Sequence, residues 1–315
     1  MTVQTRSQRA TGKKRRGLQF SERHLPIALL MPAILIIVLV VGIPMLYSLY
    51  LSFTNYTLTS AQNYEFVGFQ NYITLLFKDP LFWKAFFRTV LFISLAVNIE
   101  FLIGLGIAQL MARAIRGQSL GRTLMMMPMM FAPILVGFQF KWFFSAQVGL
   151  VNNILYTLTG EAQFIPWLVH TPLGFISILI AEIWMSTPFM VIILEAGILS
   201  LPQEPFEAAE VDGASGWQKF RHLTLPMLMP FIYTAMAIRS LDVARAYDVV
   251  SIMTGGGPGN RTELIWTYVN RLAFSGQQFA LGTAMSYITV ILSFVFTYMF
   301  FRNVMKSRWG GGMGE

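Results

Sequence analysis

Arg239, Asp242, Arg245 and Asp248 follow one another at intervals of three, alternating in sign, inside a stretch that is otherwise apolar from Leu225 to Met253. A charge in the middle of a bilayer costs about 3 kcal/mol unless it is paired or faces a cavity, so such residues mark a structural network or a polar pathway. Both readings fit this set. Neighbours three apart on a helix can pair, which gives a neutral ladder. Alternatively Arg239 and Asp242, near the midpoint, face a pathway and bind a polar solute. A guanidinium there favours a carboxylate, phosphate or sulfonate, onto which it forks bidentately. In an earlier apolar stretch Glu182, Met185, Ser186 and Phe189 share helical spacing around Pro188, whose missing donor predicts a kink, and they supply a facing surface for the same pathway.

Other chemistries lack their residues. A phosphate-binding Gly-x-x-x-x-Gly-Lys-Ser/Thr loop is missing, and the one Gly-Lys pair, Gly12-Lys13, has no preceding strand. This chain is therefore not expected to hydrolyse ATP by that route. No Ser-His-Asp set or other catalytic cluster is assembled, and no cofactor is expected in the chain itself. With no cysteine, and with His24, His170 and His222 scattered, no metal site is expected. Met125, Met126, Met127, Met129 and Met130 around Pro128 read as adaptable packing rather than as a metal relay.

The elements that must position these residues follow from composition. With 55% hydrophobic and 12% charged residues and a mean hydropathy of +0.57, the 315-residue chain is too apolar for a soluble domain. A helix crosses the hydrocarbon with about 20 residues. Runs of that kind lie at Leu25–Phe53, Thr89–Ala112, Thr123–Phe144, Leu173–Leu199, Leu225–Met253 and Phe279–Asn303. Continuous apolarity excludes the alternation of a β-barrel, so the expected fold is an all-α polytopic membrane protein with six transmembrane helices. The first run is twice the length of a signal-peptide core and lacks a small-x-small cleavage site, so it stays as a helix.

Lys and Arg outside these runs set the orientation, because cytoplasmic segments keep an excess of them. The N-terminal tail (Arg6, Arg9, Lys13, Lys14, Arg15, Arg16, Arg23), Arg113, Arg116, Arg122, Lys219, Arg221, Arg302, Lys306 and Arg308 give fifteen on one side. Lys78, Lys84, Arg88, Arg261 and Arg271 give five on the other. Both termini are thus expected in the cytoplasm, and the net charge of +8 is mostly topology rather than a sign of nucleic-acid binding. The domain plan is a basic tail over 1–24, a transmembrane domain over 25–305 with a polar loop at 200–224, and a short tail over 306–315.

That polar loop separates two apolar runs. Glu207-Ala208-Ala209-Glu210-Val211-Asp212-Gly213-Ala214 forms a helix that Gly213 can end in the left-handed conformation, and Ser215 with Gln218 makes a capping box for a second helix. Leu225-Pro226 follows. These residues resemble the EAA loop of the membrane subunits of binding-protein-dependent ABC importers, in which Glu-Ala-Ala, Asp-Gly-Ala and then Leu-Pro recur in this order. Three further landmarks are similar to that family. They are Phe66-Val67-Gly68-Phe69-Gln70-Asn71-Tyr72, Gly149-Leu150-Val151-Asn152-Asn153, and the Thr-Gly-Gly-Gly-Pro turn containing Gly255, Gly256, Gly257 and Pro258. The resemblance runs from Pro32 to Asn303 and is closest to the first permease of the carbohydrate-uptake group, which includes maltose and glycerol-phosphate importers.

The resemblance implies a type I ABC importer permease fold and a bacterial inner-membrane location. It implies that Glu207, Ala208, Ala209, Asp212, Gly213, Leu225 and Pro226 form a coupling helix and its exit, seated in a cytoplasmic ATPase. The implied partners are a second, dissimilar permease subunit, an ATPase dimer that binds ATP and Mg, and a periplasmic or lipid-anchored binding protein that delivers a sugar. Counted from Glu207, positions 182–189 and 239–242 fall where the maltose permease contacts its sugar, although they match no motif. An ion-coupled carrier with Arg239–Asp248 as its relay is the competing class, and a membrane anchor without transport activity is another.

Overall fold

The computed structural model describes residues 25–60, 62–113, 117–161 and 164–309. The basic tail over 1–24, Arg116 and the last six residues lie outside them. Among the described residues there is no β-strand, only an isolated antiparallel bridge between Thr54 and Phe66. The chain divides into residues 1–50 and residues 51–315.

The first unit contains α1 (Leu25–Ile37), a π-helical turn at Val38–Gly42 and most of α2 (Ile43–Ser52). Pro32 sits inside α1 without ending it.

The second unit begins with an aromatic segment and the short α3 (Gln70–Ile73). The helix expected from Thr89 instead starts at Pro80, giving a 32-residue α4 (Pro80–Met111). Asp79 caps it, its side chain accepting from Leu81 N at 2.9 Å, and Pro80 occupies the first turn, where a missing N–H is harmless. Lys84 and Arg88, counted above as loop residues, are therefore helical. The third apolar run is broken. After α5 (Gln118–Met126) and a tight turn at Pro128–Met130 comes α6 (Pro133–Phe143), at 94° to the preceding segment. Pro133 forces Ala132 out of the helical region, to ψ 138°, which sets the corner. Arg122 thus belongs to a helix too.

After α7 (Leu150–Thr159), α8 (Leu173–Leu199) continues through Pro188 as one 27-residue helix. The 200–224 loop carries α9 (Glu204–Val211) and α10 (Gly216–Lys219). The fifth apolar run is divided at residues 244–247 into α11 (Leu225–Val243) and α12 (Asp248–Met253), the acidic side chain of Asp248 suiting a new helix start. Last come α13 (Ile265–Asn270) and α14 (Phe279–Trp309).

Among the described residues three helices, Leu29–Ser52, Pro80–Met111 and Leu173–Leu199, are long and apolar enough to cross a membrane, and the bent pair makes a fourth if it is one span. The remaining expected spans correspond to α11–α12 and α14.

Packing in the second unit centres on α4 and α8. Phe92, Ala96 and Val97 of α4 meet Ile178, Ala181 and Met190 of α8, with Val136 and Phe140 of α6 and Val249, Val250 and Met253 of α12 in the same cluster. At the end that carries the polar loop, Leu105 and Ala108 join Val191, Leu194, Leu228 and Ile232. At the far end Phe82 and Ala85 pack with Ile265, Tyr268, Ala284 and Met285.

Candidate functional site

The charged residues in the apolar helices converge on Arg239. Its Nε donates to Glu100 Oε2 at 2.8 Å, and Nη2 donates to Glu100 Oε1 at 3.1 Å and to Glu182 Oε1 at 3.0 Å. Glu100 comes from α4, Glu182 from α8 and Arg239 from α11, so one guanidinium joins three helices. All three side chains are buried, Glu100 completely. A buried charge is tolerated only when paired and hydrogen-bonded, and the planar fork of arginine suits two carboxylates at once. Ser186, one turn beyond Glu182, directs its hydroxyl at Glu182 Oε1 from 3.5 Å.

The network then runs outward. Arg239 Nη1 lies 3.8 Å from Asp242 Oδ2, and Asp242 Oδ1 accepts from Arg245 Nη2 at 2.9 Å. Side-chain exposure rises along it from 7% at Arg239 to 43% at Asp242 and 69% at Arg245. Among the described residues no ion pair carries it on to Asp248, because the helix breaks between them. The structure thus brings Glu182, Ser186, Arg239 and Asp242 together, with Met185 and Phe189 half-buried on the same helix as Glu182. Glu100 lies outside the set chosen from sequence. An acid inside an otherwise apolar run was the available signal; its partner was not.

The polar loop is a helix–turn–helix. Gly213 sits at φ 76°, in the left-handed region that ends α9, while Ala214 N donates to Ala209 O at 2.8 Å. Ser215 N donates to Gln218 Oε1 at 2.7 Å, and Gln218 N returns a longer bond of 3.4 Å to Ser215 Oγ, closing the capping box. Lys219 Nζ reaches back to Glu210 Oε1 at 2.6 Å, tying the second helix to the first and holding the Glu210 carboxyl below its ordinary range. Glu207, Ala208, Asp212 and Gly213 are exposed, as are Val211 and Trp217, whereas Ala209 and Leu225 are half-buried. Pro226, exposed, opens α11 in its first turn.

At the far end, the turn from Gly255 to Gly259 folds over the buried side chain of Glu263. A Cβ on Gly256, itself at φ 81°, would stand 2.7 Å from Glu263 Oε2, so this glycine is required twice over. Thr262 Oγ1 donates to Gly257 O at 2.8 Å, pinning the turn beside Pro258. Among the described residues neither Glu263 oxygen has a hydrogen-bond donor in good geometry, although Arg271 Nη2 stands 3.3 Å away. Burial pushes this carboxyl above its ordinary range, and the Arg271 charge only partly opposes it. A raised folded-state value means that the contribution of Glu263 to stability is present below the unfolded value and is lost as pH rises through the folded one. The thermal midpoint of the purified protein should therefore fall, relative to that of Glu263→Gln, as pH rises from acid to neutral. A gap that widens in the opposite direction would show that the Arg271 pairing dominates.

Residues 100–308 match the family described as binding-protein-dependent transport system inner membrane component. The chain is 37% identical over 262 residues to the probable ABC transporter permease protein y4oQ of Sinorhizobium fredii, covering 83% of this chain and 84% of that protein. It is 33% identical over 287 residues to the sulfoquinovosyl glycerol transport system permease protein SmoG of Agrobacterium fabrum, covering 91% and 92%. A solved bacterial ABC transporter involved in import of the acidic polysaccharide alginate shares the fold, with a TM-score of 0.78 at 22% identity over 90% of this chain and 96% of that one. The protein is thus a non-enzymatic permease subunit, ATP hydrolysis belonging to a separate chain, and it belongs to the binding-protein-dependent transport system inner membrane component family.

Proposed function

We propose that this chain is one of two dissimilar permeases that enclose the path of an ATP-driven sugar importer in a bacterial inner membrane. It has six membrane passages, and both termini and the 204–224 loop are cytoplasmic. The observation that carries this reading is the exposed α9–Gly213–α10 element, a capped, internally tied knob with Glu207, Val211 and Trp217 on its surface. Such a knob fits a cleft of a cytoplasmic ATPase dimer that binds ATP and Mg. The turn at Gly255–Pro258 lies at the opposite end, on the side where a periplasmic or lipid-anchored binding protein would release solute.

A sugar or sugar derivative is the substrate class that the SmoG relationship supports. For an anionic sugar to be held by Arg239, it would have to displace Glu100 or Glu182 from the guanidinium. Asp242 and Arg245, partly exposed and paired, offer an acceptor and a donor to sugar hydroxyls. The test is to tag the C-terminus, purify from native membranes in mild detergent and identify the co-purifying chains by mass spectrometry. Recovery of an ATPase together with a second EAA-loop permease is expected; recovery of the chain alone would overturn the proposal.

A further inference from the structure

Arg122 and Glu195 form an ion pair that belongs to neither the Arg239 network nor the EAA loop. Arg122 Nε donates to Glu195 Oε1 at 2.9 Å, and Arg122 Nη2 bonds the same oxygen. Glu195 is buried, its side chain 9% exposed, and Arg122 supplies all its hydrogen bonds among the described residues, while Arg122 itself is 43% exposed.

The surroundings make this pair a polar bridge beside an apolar seam, in which Met125 of α5 packs against the cluster of Val191 and Leu194 of α8. A cavity of about 290 Å³ lies beside the α5–α8 contact, lined by Met111, Met125, Met126, Val191, Ile192 and Leu199, with Arg122 and Glu195 also on its wall. The ion pair is the polar link across it. On the α8 side, Glu195 lies one turn from Leu199, where the helix gives way to the polar loop. The neighbouring Leu194 packs with Leu228 and Ile232 of α11, so the two helices flanking the loop are joined beside Glu195. On the other side, Arg122 sits in α5, the first arm of the 94° corner. The second arm, α6, packs through Val136 and Phe140 against Val249, Val250 and Met253 of α12, which leads into the Gly255–Pro258 turn.

We propose that the Arg122–Glu195 pair is a coupling strut, transmitting displacement of the ATPase-docking loop into the bent α5–α6 pair and so to the far-end turn. It rests on the importer reading. Arg122 and Glu195 are positioning residues in this scheme, touching neither solute nor ATPase. An ion pair suits the task better than apolar packing would. It fixes the two helices at one charged, directional point, while the apolar contact beside it, Met125 of α5 against the cluster of Val191 and Leu194, can slide.

The absence of native cysteine makes the test direct. Val148, exposed in the segment after α6, is replaced by cysteine in the assembled complex with its ATPase. The rate of labelling by a membrane-impermeant maleimide is compared without nucleotide and with ATP plus vanadate. The otherwise native complex should show a change of about fivefold, the lower end of ordinary allosteric coupling. Arg122→Gln and Glu195→Gln should each reduce that change to near unity while ATP hydrolysis continues, and the reversed pair, Arg122→Glu with Glu195→Arg, should restore it.

A nucleotide-dependent change that persists in both glutamine variants would overturn the strut. Loss in the single variants without recovery in the reversed pair would also overturn it, because a merely structural defect behaves in that way. If the otherwise native complex captures no ATPase or shows no nucleotide response, the importer reading itself fails, and that failure is visible before any variant is compared.

Discussion

Arg239→Met should lower the thermal stability of the purified protein and the amount recovered from membranes, rather than abolish transport in an otherwise intact permease. The substitution leaves Glu100 and Glu182 buried without their shared cation. Breaking a buried pair by removing one member costs about 3–5 kcal/mol, mainly because the remaining charge is stranded. Two carboxylates are stranded here, on helices that Arg239 otherwise joins.

The triple variant Glu100→Gln, Glu182→Gln and Arg239→Met removes the charges together and should recover most of the loss, since replacing a complete buried network is often close to neutral. Thermal unfolding followed by size-exclusion chromatography reads both effects. If Arg239→Met or Arg239→Ala keeps its thermal midpoint and its assembly while uptake disappears, Arg239 serves the solute after all.

The second large effect is expected at Gly213. Its φ of 76° lies far from the value near −65° that a proline ring imposes, so Gly213→Pro cannot close α9 as the native chain does. The knob would lose the angle between α9 and α10, and with it the Lys219–Glu210 tie. ATPase retention on the purified permease should fall at least about tenfold, corresponding to roughly 1.4 kcal/mol or more. The membrane part should keep its thermal midpoint, because Gly213 is exposed and no atom of the described residues beyond its immediate chain neighbours stands within 4 Å of an added Cβ.

Graded substitutions separate backbone strain from side-chain bulk. Gly213→Ala places a Cβ in the left-handed region at a cost of about 1–2 kcal/mol and should weaken ATPase binding partially, whereas Gly213→Asn, which tolerates that region, should stay near native. Glu207→Ala, on the exposed face of α9, tests the side chain without disturbing the turn. Full ATPase retention by Gly213→Pro would remove this loop from the docking surface.

The helix–turn–helix of the loop was legible residue by residue because its determinants are local. A left-handed glycine and a capping box act within a few positions, and no distant packing is needed to predict them. The limits of α4, the corner at Pro133 and the division of the fifth apolar run were harder to read. Apolarity marks what is soluble in lipid but does not say where a helix turns: Pro188 lies inside a continuous helix while Pro133 begins a 94° corner.

Composition and the period of hydrophobicity determined that this is an all-α membrane protein, and short motifs determined its family and the form of its polar loop. Which charges meet was decided only by the tertiary structure. From the Arg239–Asp248 series alone, a ladder along one helix and charges facing a solute pathway are equally satisfactory. The packing of α4, α8 and α11 selected Glu100, 139 positions from Arg239, and joined Arg122 to Glu195 across 73. The physical reason is that a buried charge takes whichever partner the fold brings within hydrogen-bonding distance, and separation along the chain carries little information about that distance once helices pack side by side.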